Sequence, residues 1–285
     1  MTVEKLYALL QTELPVAEAM VGDRLGIQVE PPDHRIERVL TALEVTDTVL
    51  DEACQRGCNC IVTFHPLIFE PLQALRPADR VGRCVMRAIV KGIAIVSIHT
   101  TLDAHPAGTN ATLAQMLGIE CERPLLPSAE RAGYGMGVVG RLREPCSPSQ
   151  LARRVADMLG TTVRYCTGAS SQIERVALVA GSGSSLLAAA LESGVDAFIT
   201  ADVKYHTFHR ASGQLTLIDA GHFEMEQHVP VILAGILQQI LAHNGCSLDV
   251  LPSTTRTSPV RTEISITIDI DSSTIAVSET DAHQR

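Results

Sequence analysis

The chain has 285 residues, 46% of them apolar, enough for one large or two compact hydrophobic cores and too apolar for a disordered chain. Its formal charge of −9 and the absence of a dense Lys/Arg run argue against non-specific nucleic-acid binding, which needs basic patches to neutralise phosphates. The longest apolar stretch, Val231 to Leu241, is too short to cross a bilayer and carries Gln238 and Gln239.

Tryptophan is absent and aromatics make up 3%, so the core is expected to be aliphatic. The start, Met1-Thr-Val-Glu-Lys, lacks the basic-then-apolar pattern of a signal peptide. Eight cysteines in a chain this long do not make a disulfide framework, and Cys54, Cys58 and Cys60 lack the CxxC spacing of a zinc knuckle. They read as reduced, mostly buried thiols of a cytoplasmic protein.

Strand-like and helix-like runs alternate. Val39 to Val45 predicts a strand, and Thr46-Asp47 can cap a helix that runs to Arg56 and ends at Gly57. Cys60 to Phe64 predicts a strand and Val81 to Lys91 a helix. Ile93 to Ile98 is a nearly continuous apolar run, as in a strand buried on both faces. Thr109 to Leu117 reads as helix, and Cys121 to Ala132, with Pro124 and Pro127, as a linker. Beyond it come a strand at Gly137 to Leu142, a helix at Ser149 to Leu159, a strand at Val176 to Ala180 and a helix at Ser184 to Glu192. Strands at Ala197 to Thr200 and Leu215 to Ile218 follow, then a helix from Pro230 to Ala242. Late strands are expected at Leu248 to Leu251 and Ile264 to Ile270, with a frayed polar tail from Ser278. The fold class is therefore α/β, with layered helices and largely parallel sheet.

An internal repeat runs through this pattern. An offset of 137 residues places Glu37-Arg38-Val39 on Glu174-Arg175-Val176, Gly57 on Gly194, Asn59 on Asp196, Thr63 on Thr200 and His65 on Asp202. Further on, an offset of 123 places His99 on His222. Each of these histidines has a carboxylate four residues later, Asp103 or Glu226. The two halves, 1–126 with His65, His99 and Asp103, and 127–285 with His222 and Glu226, are expected to meet around a site between them. The late strands can pack back on the first half.

His65 and His99 end buried strands, and His222 lies just past one; ligands of α/β sheets collect at such strand ends. A lone histidine there is more often a hydrogen-bonded structural residue. Three histidines with two carboxylates that lack evident cationic partners instead have the composition of a site for Zn²⁺, Fe²⁺, Mn²⁺, Co²⁺ or Ni²⁺, with one or two ions per chain. Glu224 is the rival to Glu226, and the shared four-residue spacing favours Glu226. Lys204 and His206 could hold an anionic substrate group or simply start a solvated helix. Gly181-Ser182-Gly183-Ser184-Ser185 lacks the Gly-Lys-Ser/Thr ending of a P-loop, and a tight turn is the better reading. His105, His209 and His228 fit no pattern and read as surface residues.

Phe64-His65-Pro66-Leu67-Ile68-Phe69, His99-Thr100-Thr101-Leu102-Asp103-Ala104 and Gly221-His222-Phe223-Glu224-Met225-Glu226 resemble, in order, the three signature blocks of the Nif-three-like family. Gly26-Ile27-Gln28-Val29, Gly108-Thr109-Asn110 and Thr200-Ala201-Asp202-Val203-Lys204-Tyr205-His206 resemble its supporting blocks. The resemblance covers nearly the whole chain. It implies a dinuclear metal centre with His65, Asp103, His222 and Glu226 as ligands, Glu226 bridging, and His99 beside them as a further ligand or proton-transfer group. It also implies a homo-oligomer, a hexameric ring of three dimers, and links the chain to proteins named as type 2 GTP cyclohydrolase I homologues. One position departs from the pattern: Phe64 stands where many members have a second histidine, which removes a ligand from the second metal position.

Two functions follow. In one the chain is a metal-dependent hydrolase with a metal-activated water, His99 as proton shuttle and a small-molecule substrate such as a nucleotide. In the other it is a metal-binding regulatory or interaction protein without turnover. An open site favours the first and a closed, fully protein-ligated one the second.

Overall fold

The structure, a computed structural model, describes residues 1–32 and 35–262. In chain order the elements are α1 (Val3–Glu13), β1 (Gly26–Val29), β2 (Arg38–Ala42), α2 (Asp47–Gln55), β3 (Cys60–Thr63), α3 (Arg80–Lys91), β4 (Ala94–Ser97), α4 (His99–Ala104) and α5 (Thr109–Met116). Then come β5 (Ile119–Arg123), β6 (Leu126–Pro127), β7 (Gly135–Met136), β8 (Val138–Cys146), α6 (Pro148–Leu159), β9 (Arg164–Cys166), β10 (Ile173–Leu178) and α7 (Leu187–Glu192). The last are β11 (Ala197–Thr200), α8 (Tyr205–Ala211), β12 (Thr216–Asp219), α9 (His222–Glu226), α10 (Val229–His243) and β13 (Asp249–Pro252).

Two sheets carry the fold. The first has the order β1-β4-β3-β2-β13 and the second β5-β8-β10-β11-β12-β9. In the first, β4, β3, β2 and β13 run parallel and only β1 is antiparallel. The second departs from the parallel expectation: β10, β11 and β12 are parallel, while β5, β8 and β9 join by antiparallel pairing. The central strands β3, β4, β11 and β12 are buried at every residue, which is why they read as unbroken apolar runs.

The repeat is visible residue by residue. Asn59 Oδ1 accepts from the backbone N–H of Glu37 at 2.9 Å, and Asp196 Oδ2 accepts from Glu174 at 3.0 Å. Arg38 Nη1 donates to the carbonyl of Arg56 at 2.7 Å, and Arg175 Nη1 approaches that of Ser193 at 3.5 Å. Gly57 and Gly194 take the same left-handed turn, at φ 66° and 63°. Both copies thus fasten the start of a strand to the loop entering the next strand by the same side chains.

Several elements differ from the sequence reading. Cys121 to Ala132 is not plain linker, because β5 enters the second sheet at its edge and β6 pairs with β7. As an edge strand β5 buries only Ile119, so its exposed Glu120, Glu122 and Arg123 hide the strand signal. Helix α1 buries Val3, Leu6 and Leu10 along one stripe. It packs with α10 against the first sheet. The strand expected at Ile264 to Ile270 and the tail from Ser278 lie outside the described residues. All eight cysteines are free, and Cys58, Cys60, Cys84 and Cys146 are buried. Among the described residues no helix is long and apolar enough to cross a membrane.

Candidate metal centre

The carboxyl ends of the central strands of both sheets meet. His65 follows β3 by two residues, His99 opens α4 after β4, and His222 opens α9 after β12. Because α4 and α9 are single helical turns, residues four apart share a face. This puts Asp103 under His99 and Glu226 under His222.

His65, His222 and Glu226 converge, with one potential ligand atom from each lying within 4.8 Å of the others. Glu226 Oε2 is 3.2 Å from His65 Nε2 and 3.1 Å from His222 Nε2. These are ion-pair distances without hydrogen-bond geometry, and Oε2 is buried with no hydrogen-bond partner. Glu224, four residues before His228, turns away instead and lies 3.5 Å from Arg256. Asp103 is buried beside Glu226 and outside the convergent trio, and its Oδ1 also lacks a hydrogen-bond partner.

Each histidine has a carboxylate on its other ring nitrogen. His222 Nδ1 lies 2.7 Å from Asp202 Oδ2, His99 Nδ1 2.7 Å from Asp23 Oδ1, and His65 Nδ1 3.7 Å from Glu44 Oε1. Such partners fix ring orientation and tautomer and raise ligand basicity. Asp202 does this from a left-handed backbone conformation, φ 53°, unusual outside glycine. The sequence reading missed all three. Asp202 carried a signal, since it stands on the repeat position of His65; Asp23 and Glu44 carried none.

The electrostatics follow from these contacts. Burial alone would favour a neutral Glu226, but the rings of His222 and His65 hold its pKa at about 2. Burial opposes charge on His65, yet Glu226 and Glu44 raise it to about 9. Glu226, against the opposing effect of burial and with help from Asp202, raises His222 to about 9. Burial, with the Glu226 charge behind it, pushes the Asp103 carboxyl well above the usual carboxylate range. Burial disfavours charge on Asp23 too, but His99 and Thr100 hold it at about 2.

This donor set fits a divalent transition metal ion. Two imidazoles and a carboxylate suit zinc or iron-type ions and leave coordination positions open. Glu226 Oε2 and Asp103 Oδ1 are buried acceptors without donors. The Gly181 backbone leaves the carboxylate its place: a Cβ there would fall 2.1 Å from Glu226 Oε1 and 3.2 Å from His222 Nε2.

A cavity of about 230 Å³ opens beside the donors, lined by His99, Asp103, His222 and Glu226 and by the 182–186 turn. The glycine-rich segment is the tight turn expected, a 3₁₀ turn at Ser184–Leu186 leading into α7. Lys204 caps α8 and His206 packs on Tyr205; both are exposed and neither lines this cavity. Two histidines read as surface residues are not. His105 is 11% exposed at its side chain and stands edge-on to Tyr134, and His228 buries its Nε2. Phe64 is fully buried, its ring centroid 5.0 Å from that of His65 and 5.2 Å from that of His99.

Paired α/β units with histidine and carboxylate donors at facing strand ends define the class. The chain matches the family model described as DUF34/NIF3 (NGG1p interacting factor 3) over residues 1–259, and it belongs to that family. It is 33% identical over 252 residues to a Streptomyces coelicolor protein, covering 86% of this chain and 88% of the relative. It is 36% identical over 207 residues to one from Nostoc sp., covering 71% and 78%. Both relatives are named GTP cyclohydrolase 1 type 2 homolog. A hypothetical protein of Staphylococcus aureus superposes with a TM-score of 0.84 at 25% identity, over 92% of this chain and 99% of that one. A Bacillus cereus protein related to NIF3 has the same fold, with a TM-score of 0.84 at 22% identity and the same coverage.

Proposed function

We propose that the chain is a metal-dependent hydrolase whose metal is held by His65, His222 and Glu226, with Asp103 at its edge. The observation that carries this is the convergence of those three donors beside a cavity that two of them, His222 and Glu226, line. A divalent ion held there supplies Lewis acidity toward a water and a substrate oxygen or nitrogen.

The chain's own residues do the rest. Asp202 and Glu44 orient the two ligand rings. Asp23 occupies Nδ1 of His99, which leaves Nε2 as the ring nitrogen free to carry a proton. Hydrolysis of a C–N bond places the water oxygen on carbon and one water proton on nitrogen, and His99 is the group we assign to that transfer. The relatives' name makes a purine nucleotide the first substrate to try, with ring opening as the reaction. We also propose a homo-oligomer, as the resemblance of the motif blocks implies. The rival reading, a regulatory metal protein without turnover, draws on Phe64, whose buried ring shields the centre and supplies no ligand.

The test is metal content per chain by elemental analysis, with turnover of GTP, guanosine and hypoxanthine measured on the same preparations. Wild type is expected to hold metal, and Glu226→Ala to lose at least nine-tenths of it and the turnover. Undiminished metal in Glu226→Ala would overturn the ligand assignment. Metal with no turnover of any purine would favour the regulatory reading.

A further inference from the structure

The cavity beside the donors is small. Its volume of about 230 Å³ lies below the ~300–1,000 Å³ of pockets that enclose a drug-sized molecule. A fused nitrogen ring is small enough to enter such a space, and a nucleoside triphosphate would extend beyond it.

Much of the rest of its wall is apolar. Met20 comes from a loop and Met136 from β7, and Val179 and Leu186 flank the glycine-rich turn. Methionine sulfur packs favourably against aromatic rings, so two methionines suit a flat heterocycle. Ser182 and Ser185 offer hydroxyls from the turn, able to donate to or accept from ring amide groups.

Asp103 and Glu226 line the cavity beside His99 and His222, and among the described residues no lysine or arginine does. Recognition of phosphates uses cationic side chains or an ordered helix N-terminus. The turn here leads through a 3₁₀ segment into α7, which is only six residues long, and Lys204 lies elsewhere.

We infer that the group this cavity delivers to the metal centre is a neutral, flat nitrogen heterocycle of nucleobase size without phosphates, a base or nucleoside in preference to a nucleoside triphosphate. This rests on reading the His65–His222–Glu226 donors as the reaction centre. The substrate class is thereby narrowed to compounds whose amide or amidine carbon can reach the donors from within the cavity.

The experiment is calorimetric titration of the metal-loaded full chain with hypoxanthine, guanosine and GTP. Hypoxanthine or guanosine is expected to bind at least tenfold more tightly than GTP. Met20→Trp and Leu186→Trp, which fill the cavity from an exposed loop and from the turn, are expected to weaken hypoxanthine binding at least tenfold with metal content and melting temperature retained. GTP binding as tightly as guanosine, or hypoxanthine binding untouched in both folded variants, overturns the proposal, as does binding of none of the three compounds. The two readings fail separately. A chain that prefers hypoxanthine to GTP and holds no metal supports the cavity assignment and overturns the metal centre. A chain that holds metal through Glu226 and takes GTP as tightly as guanosine overturns the cavity assignment alone.

Discussion

Gly181 and Glu226 lie so close that position 181 has no room for a side chain: a Cβ would stand 2.1 Å from the carboxylate oxygen Oε1. Gly181 also sits at φ 60°, where L-residues are disfavoured by roughly 1–2 kcal/mol. Gly181→Ala is therefore expected to push the carboxylate off its position and to lower metal content at least tenfold, with a modest loss of thermal stability. Full metal content in a folded Gly181→Ala protein would show that Glu226 is not the ligand.

Phe64 stands where a further ligand for a second ion would have to be. Its ring stands against His65 and His99 with no exposure to solvent. Asp103 and Glu226 are then the acceptors left for a second ion, too few without another donor. Wild type is expected to bind one equivalent, and Phe64→His to raise this toward two. Elemental analysis decides between the two, and an unchanged ratio in Phe64→His refutes the role given to Phe64.

Asp202 makes opposite demands on backbone and site. It holds His222 Nδ1 at 2.7 Å from a left-handed conformation. Loss of a carboxylate behind a metal-bound histidine typically costs 10–100-fold in affinity. Asp202→Gly is expected to lose about that much metal affinity and yet to gain about 1 kcal/mol of stability through relief of the backbone. Competition against a chromophoric chelator reads the first effect and denaturant unfolding of the metal-free chain the second. Unaltered metal affinity would mean that Asp202 positions nothing.

Glu52 gives the fold a pH dependence outside the candidate metal site. Its carboxylate takes hydrogen bonds from the hydroxyls of Ser253 and Thr255, both at 2.6 Å, from Thr254 N–H at 2.9 Å and from Arg56 at 2.7 Å. Burial opposes its charge, and these donors outweigh burial and hold its pKa at about 2. A depressed carboxylate pKa means that the charged form stabilises the fold. The contribution, on the order of 3 kcal/mol, is complete above about pH 4.5 and is lost as pH falls toward 2. Glu52→Gln should therefore be less stable than wild type at pH 7, and the gap should narrow to about half or less at pH 3 and close only below pH 2. Equal gaps at both pH values would contradict this.

The parts legible in the sequence are those with local causes. β3, β4, β11 and β12 are buried on both faces and so read as apolar runs. The pairs His99/Asp103 and His222/Glu226 read through because a helical turn imposes a spacing of four. What stayed hidden depends on distant contacts. Asp23 acts on His99 across 76 positions, and nothing around Asp23 announces it. Phe64 is visible as a departure from a family pattern, but only the packed structure gives its burial between two histidine rings. The stripe Val3, Leu6, Leu10 and Leu14 that marks α1 is present in the sequence, whereas β5 lacks alternation because an edge strand has one partner.

The pairing of β13 with β2 sets an order of assembly. Asp249 to Pro252 complete a sheet whose other strands all lie before residue 98. As the ribosome delivers the chain, β2 is left with an open parallel edge, and the face that α10 covers stays bare, for some 150 residues of further synthesis. The first unit therefore closes only after the second has emerged. A nascent chain stalled before residue 249 would be the species that chaperones meet.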